Sequence, residues 1–167
     1  GDARGGLRWG RAPGRRYNRG VARPPLLLMV SDLLREPGRR RPADLEAPVD
    51  WALELSRVDP AVPLQAHLVL EGISGGIVAR GRVVVTARHT CRRCLAEWSE
   101  PLEVEVLEVV SSDEEAEYRL QGQEADLEPP LRDAVLLSLP LRPLCRPDCL
   151  GLCAVCGADL NTGSCPG

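Results

Sequence analysis

The 167-residue chain contains no phenylalanine and no lysine. With only three Trp and two Tyr, the core must be assembled from Leu, Val, Ile and Ala; full burial of a large aliphatic side chain contributes about 1.5–3 kcal/mol. The missing lysine excludes a Walker-type phosphate loop, which needs that residue to reach the phosphates. Long apolar runs are missing too: "LLLMV" at Leu26–Val30 is far short of the roughly 20 residues of a membrane-spanning helix. No stretch combines a basic region, a long apolar segment and a cleavage site, so neither a span nor a secretory signal is expected. All 21 basic residues are Arg, a bias that GC-rich coding would give.

Charge is unevenly spread. Residues 1–41 carry eleven Arg against three acids, a net of +8, whereas residues 42–167 carry ten Arg against 21 acids, a net of −11. Residues 1–23 are Gly- and Arg-rich with no apolar period, so a disordered arm is expected there. Arg15, Arg16 and Arg19 around Tyr17 suit phosphate pairing and base stacking.

From residue 24 the signals are structural. "LLLMV" predicts a short buried strand, followed by one helical turn capped by Ser31 and stopped at Pro37-Gly38. "VDWALEL" (49–55) alternates and predicts a strand. So does "VPLQAHLVLEG", where Leu64, Ala66, Leu68 and Leu70 share a face. Gly75-Gly76 suits a hairpin turn with positive φ. In the next strand Ile77, Ala79, Val83, Val85 and Ala87 point one way and Arg80, Arg82, Thr86 and Arg88 the other. The Arg stripe invites an RNA-binding reading. "LEVEVLEVV" (102–110) offers Glu103 and Glu105, so cross-strand Arg–Glu pairing on a solvated face is the preferred alternative. Residues 111–128 predict a solvated acidic loop, with a basic protein partner as the functional reading. A helix is expected over about 127–139, with Pro130 tolerated in its first turn and Pro140 ending it. Residues 24–140 thus form a β-rich domain, and 141–167 a cysteine-rich region.

Seven cysteines carry the chemistry. Cys91 and Cys94 are spaced C-x2-C at the end of a strand, and Cys153 and Cys156 repeat the spacing with Gly157 next. Two thiolates so spaced can wrap one tetrahedral ion, and a following Gly relieves the backbone there. Clustered cysteines without a secretory signal favour metal over disulfides, and a cytoplasmic location. Two divisions are open. A zinc ribbon joins Cys91 and Cys94 to Cys153 and Cys156, leaving Cys145, Cys149 and Cys165 unassigned. The other, which is preferred, joins Cys91, Cys94, Cys145 and Cys149 in one complete site and leaves Cys153, Cys156 and Cys165 as an incomplete second. His89 is read as a core or rim residue that is also a spare ligand, and His67 as core or rim. No Ser–His–Asp, paired-carboxylate or nucleotide-binding arrangement points to an enzyme.

The string "CRRCL" after a hairpin strand, the acidic loop, the helix ending "LSLPLRPLC" and then "CRPDCLGLCAVCGADLN…C" resembles the YceD-like family, bacterial and plastid proteins linked to accumulation of large-subunit ribosomal RNA. The resemblance spans roughly residues 24–165. It implies a non-enzymatic ribosome-biogenesis factor, cytoplasmic in bacteria, β-rich with a metal-bound end. The family's cysteine pattern falls on Cys91, Cys94, Cys145, Cys149, Cys153, Cys156 and Cys165. Many relatives continue as C-x-C where this chain has Gly167, so the second site lacks a ligand, borrows one from His89 or water, or is absent.

The expected fold is α+β: an antiparallel sheet, one packed helix and a C-terminal zinc knuckle clamped to the hairpin tip at 91–94. The expected partner is large-subunit ribosomal RNA or a ribosomal protein, with no membrane and no small-molecule substrate. Arg92 and Arg93 lead the candidate contacts, with Arg80, Arg82 and Arg88 behind them. The rival is a metal- or redox-responsive switch in which Cys153, Cys156 and Cys165 release zinc and form a disulfide.

Overall fold

A computed structural model describes residues 23–165; the arm expected at 1–23 lies outside the described residues except for Arg23, as does Gly167. Three long strands dominate: β4 (Leu64–Ile73), β5 (Gly76–Thr90) and β6 (Glu97–Ser111). They form because strict alternation lets each bury one face. Leu64, Ala66, Leu68 and Leu70 of β4 are buried, as are Ile77, Ala79, Val83, Val85 and Ala87 of β5 and Val104, Val106 and Val110 of β6. The antiparallel register fixes these rows opposite one another, with Ala66 against Val83 and Val83 against Val104. Between β4 and β5 the chain reverses through Gly75, whose φ of +73° is left-handed; Gly76 already belongs to the strand.

Five shorter strands complete two sheets: β1 (Leu27–Met29), β2 (Arg40–Ala47), β3 (Ser56–Val58), β7 (Tyr118–Arg119) and β8 (Glu124–Asp126). The main sheet runs β2-β4-β5-β6-β7, with β3 paired to the end of β5, and β1 and β8 form a separate pair. Pairing is antiparallel except between β6 and β7. Strand β2 was not anticipated. Its inward row of Arg41, Ala43, Leu45 and Ala47 is weakly apolar, and Pro42 disfavours a strand unless it lies on an edge, which β2 does. The strand expected at 49–55 is displaced. Trp51 there is buried, but only Ala52 makes a bridge, to Arg57, and regular pairing starts at Ser56.

Two helices, rather than one, pack on the sheet. Helix α1 (Ser31–Arg35) begins after Val30, and no side chain caps it, so Ser31 is its first residue instead of its cap. It lies on β4 and β5. Helix α2 (Glu128–Ser138) matches the expected span, with Pro129 and Pro130 in its first turn and Leu139 extended beyond its end. Leu131 and Val135 are fully buried as α2 packs towards β6. The acidic segment between β6 and α2 is more ordered than a solvated loop, because Ala125 and Leu127 are buried and Tyr118 packs against the core. Among the described residues no helix is long and apolar enough to cross a membrane.

Gly72 marks how closely α1 sits on the sheet, since a Cβ built there would lie 2.2 Å from the Leu33 carbonyl oxygen. Gly72→Ala must therefore push α1 outward. Its expected cost is about 1–3 kcal/mol, visible as a lower midpoint in urea at an unchanged slope; an unchanged midpoint would show that α1 is not held against β4.

Candidate metal centre

The site is built from the end of the β5–β6 hairpin. Inward parity along β5 runs through Ala87 and His89 to Cys91, which is fully buried. Two backbone bonds then close a tight knuckle: Cys91 N–H donates to Ala96 O at 2.8 Å and Leu95 N–H to Cys91 O at 2.9 Å. The same pattern recurs in the C-terminal segment. Cys153 N–H donates to Ala158 O at 2.8 Å and Gly157 N–H to Cys153 O at 2.9 Å. The residue after the second cysteine is left-handed in both knuckles, with φ of +63° at Leu95 and +74° at Gly157. Glycine takes that conformation freely, whereas leucine is strained in it.

The C-terminal segment docks on the first knuckle through main-chain and side-chain bonds. Arg92 N–H donates to Pro143 O at 3.0 Å, Leu152 N–H to Arg93 O at 3.1 Å, and Arg93 Nη1 to Cys149 O at 2.9 Å. As a result the sulfurs of Cys91, Cys94, Cys145 and Cys149 all lie within 4.8 Å of one another. Cys91 and Cys149 are 3.8 Å apart and Cys94 and Cys145 3.6 Å. A tetrahedral ion with thiolates at about 2.3 Å has sulfur–sulfur edges of about 3.8 Å, so this set fits one ion. Cys153, Cys156 and Cys165 form a second group, with Cys165 3.3 Å from Cys153 and 3.1 Å from Cys156. Each group can hold a metal ion. The ribbon-like division, in which Cys91 and Cys94 share a site with Cys153 and Cys156, is not the one formed.

The thiols are electrically unequal. Burial opposes ionisation of Cys91, but the amides of Cys94, Cys145 and Arg93 outweigh it and bring its pKa down to about 6. Desolvation and the neighbouring sulfurs of Cys94, Cys149 and Cys91 push Cys145 up to about 12. Amides of Cys156 and Val155 bring Cys153 down to about 7. Four sulfurs this close cannot all ionise unless a cation joins them, and metal uptake must expel the remaining protons.

Asn161 was not singled out in the sequence. Its Nδ2 donates to Cys149 Sγ at 3.4 Å and to Asp159 Oδ1 at 2.8 Å, while its Oδ1 accepts from Leu150 N–H and from Arg146 Nη2, each at 2.8 Å. It thereby ties the second knuckle to the first thiol group. The "LN" of the quoted motif was the available signal.

His89 does not serve as a spare ligand. Its Nδ1 lies 2.9 Å from Ser56 Oγ and its Nε2 2.9 Å from Glu100 Oε1, and the ring packs on Trp98. This Ser–His–Glu chain resembles a hydrolase triad in composition only. Ser56 Oγ donates its proton to Pro140 O at 2.9 Å, and Ser56 and His89 are each 2% exposed, so no substrate carbonyl reaches the hydroxyl. It is a strut between β3, β5, β6 and the lead-in to Cys145. His67, expected in the core or at its rim, instead sits on the solvated face beside Asp44, its cross-strand neighbour, at 2.9 Å.

Arg80, Arg82 and Arg88 lie on the sheet face opposite the core. Arg82 approaches Glu103 at 3.9 Å, so the expected cross-strand pairing forms there at the outer limit of contact. Arg80, Arg88 and the side chain of Arg92 have no ionic partner among the described residues.

A sequence family described as Large ribosomal RNA subunit accumulation protein YceD matches residues 79–167, more than half of the chain. An uncharacterized protein of Mycobacterium tuberculosis is 32% identical over 147 residues, covering 81% of this chain and 71% of that protein. One from Mycobacterium leprae is 29% identical over 147 residues, covering 81% and 68%. The maize protein called Large ribosomal RNA subunit accumulation protein YCED homolog 1, chloroplastic, is 38% identical over 52 residues, 31% of this chain and 18% of its own length. No solved structure matches.

The paired knuckles generate one prediction and the strut another. Leu95→Gly should stabilise the reduced chain by about 1 kcal/mol, since it relieves left-handed strain at an exposed side chain. Gly157→Leu should weaken the second knuckle by a similar amount; equal denaturation midpoints for all three proteins would refute the strain at 95. Ser56→Ala strands His89 Nδ1 and Pro140 O, at an expected cost of about 1–3 kcal/mol, and should also weaken metal retention at Cys145 in a chelator competition.

Proposed function

The chain belongs to the YceD family, and on that premise we propose that it is a non-enzymatic factor supporting large-subunit ribosomal RNA accumulation, acting in the cytoplasm on a zinc-stapled scaffold. The observation that carries this reading is the coincidence of the matched stretch, residues 79–167, with the hairpin, α2 and both thiol groups. Zinc is the ion best suited to an all-thiolate, tetrahedral set, and a closed four-ligand site is structural. Cys91, Cys94, Cys145 and Cys149 would hold it. Cys153, Cys156 and Cys165 would hold a second ion only with a fourth ligand from elsewhere.

The partner is large-subunit ribosomal RNA or a ribosomal protein. For an RNA contact, the exposed guanidinium groups of Arg80, Arg88 and Arg92 are the strongest candidates. Arg82 is half-engaged by Glu103, and Arg93 spends one donor on Cys149 O. A redox-switch reading is favoured by one feature, the 3.1 Å approach of Cys156 to Cys165 beside a Cys153 thiol whose pKa is about 7. A mild oxidant would take two electrons from two of these thiols, forming a disulfide and releasing two protons.

Metal counting separates the readings. Purified under reducing conditions, the chain should hold at least one zinc, and Cys94→Ser should lower that number by one. A scaffold keeps its zinc after mild peroxide treatment, whereas a switch releases it and gains a disulfide; finding no metal in the reduced protein would defeat both. Crosslinking and sequencing of bound RNA, with residues 1–22 present and deleted, tests the RNA contact directly. The expected result is ribosomal RNA recovered with both forms and depleted by Arg80→Glu with Arg92→Glu. Recovery only with the arm present would take RNA contact away from the body.

A further inference from the structure

A groove of about 510 Å3 opens between α2, the distal part of β6 and β7. Its walls carry Leu53, Leu137 and Leu141, and Glu108, Glu117 and Asp133 converge on it. Leu137 and Leu141 are 87% and 77% exposed, although the helix that carries Leu137 buries Leu131 and Val135 completely. Glu108 is on the wrong side of its strand for a charged residue. It shares the inward row of Val104, Val106 and Val110 and is only partly accessible. Partial burial, then the nearby charges of Glu117 and Asp133, raise its pKa above the ordinary carboxyl value. Asp133 accepts the Tyr118 hydroxyl at 2.9 Å and lies 3.4 Å from Arg132 Nε. Neither Glu108 nor Glu117 has a basic partner among the described residues.

An apolar trough beside two uncompensated carboxylates is complementary to one kind of ligand. Phosphate is repelled there, which disfavours nucleic acid, whereas an amphipathic helix with Arg or Lys beside its apolar stripe satisfies both walls. We propose that this groove docks a basic amphipathic segment of a partner protein, its apolar side chains on Leu53, Leu137 and Leu141 and its cations on Glu108 and Glu117. The inference deepens the assembly-factor reading by giving the partner a chemistry, and rests on that reading only for the partner's biological setting. The groove's complementarity stands on this chain's own residues.

The test uses the full chain with its metal bound and a fluorescein-labelled synthetic peptide of about 15 residues, long enough for a marginal helix, with Leu at i, i+3, i+4 and i+7 and Arg between. Saturable binding that weakens as salt is added is expected. Leu137→Ser with Leu141→Ser should weaken it about tenfold, equivalent to about 1.4 kcal/mol, and Glu108→Gln with Glu117→Gln by a similar factor. These leucines are exposed and the glutamates become neutral isosteres, so metal content and the circular dichroism spectrum should not change. A peptide with Glu in place of Arg should not bind. Absence of saturable binding, or binding indifferent to both double variants, overturns the proposal. Displacement of the peptide by a ribosomal RNA fragment would reassign the groove to RNA, and tighter peptide binding after deletion of residues 1–22 would reassign it to the chain's own basic arm. If peptide binding behaves as expected but loss of the gene leaves ribosomal RNA levels unchanged, the assembly-factor reading fails and the groove survives.

Discussion

The tip of the β5–β6 hairpin is where the chain closes on itself. Cys91 and Cys94 wait there for Cys145 and Cys149, separated from them by the whole of β6, the acidic segment and α2. Pinning a loop of about 50 residues costs on the order of 4 kcal/mol in chain entropy. The bonds from Arg92 to Pro143, from Leu152 to Arg93 and from Arg93 to Cys149 each return about 0.5–1.5 kcal/mol net, barely enough to offset that. Four thiolates around one ion would supply far more, since structural zinc contributes about 10–16 kcal/mol in small peptides. The hydrogen bonds set the position, and the sulfurs are what could hold it.

Position in turn depends on parity. Side chains alternate along β5, so the residue that leaves the strand at Cys91 inherits the inward direction of Ala87 and His89, and its sulfur points to where the C-terminal segment crosses. The His89–Ser56–Pro140 chain fixes that crossing from beneath. A one-residue register slip in β5 would turn Cys91 to solvent and break both arrangements together. The sheet and the thiol group are therefore one cooperative unit, even though they lie in different parts of the sequence.

Alternation made β4, β5 and β6 legible, and the C-x2-C spacing made the thiols legible but left two divisions open, of which the fold brings together the groups of four and three. What escaped was decided by tertiary contact. Strand β2 has only Ala43, Leu45 and Ala47 as an apolar row, too small to announce itself, and it forms because β4 offers an open edge. "VDWALEL" alternates well, yet Trp51 is buried without regular pairing and the strand starts five residues later. The first knuckle concealed its kinship with the second because Leu95 stands where Gly157 does, and a leucine gives no sign of a left-handed backbone. Ser56, His89 and Glu100 are too far apart along the chain for spacing to connect them. Asn161 stands in the "LN" of the cysteine-rich string, but its bonds to Cys149, Leu150 and Arg146 form only once the segment folds back on itself.

The same alternation sends the Arg stripe and Glu108 to opposite faces of the sheet. Even-numbered residues at the start of β5 turn outward and carry Arg80 and Arg82, while those near the end of β6 turn inward and carry Glu108 towards α2. Glu108 is thus kept from the Arg stripe by the thickness of the sheet, whereas Glu103 and Glu105 share the outer face with it and Glu103 lies 3.9 Å from Arg82. Had Glu108 stood one residue along the strand, it would have faced the Arg stripe and been neutralised by it. Instead Arg80 and Arg88 on the outer face and Glu108 on the inner are left without an ionic partner among the described residues, a division that the net charge of −3 conceals.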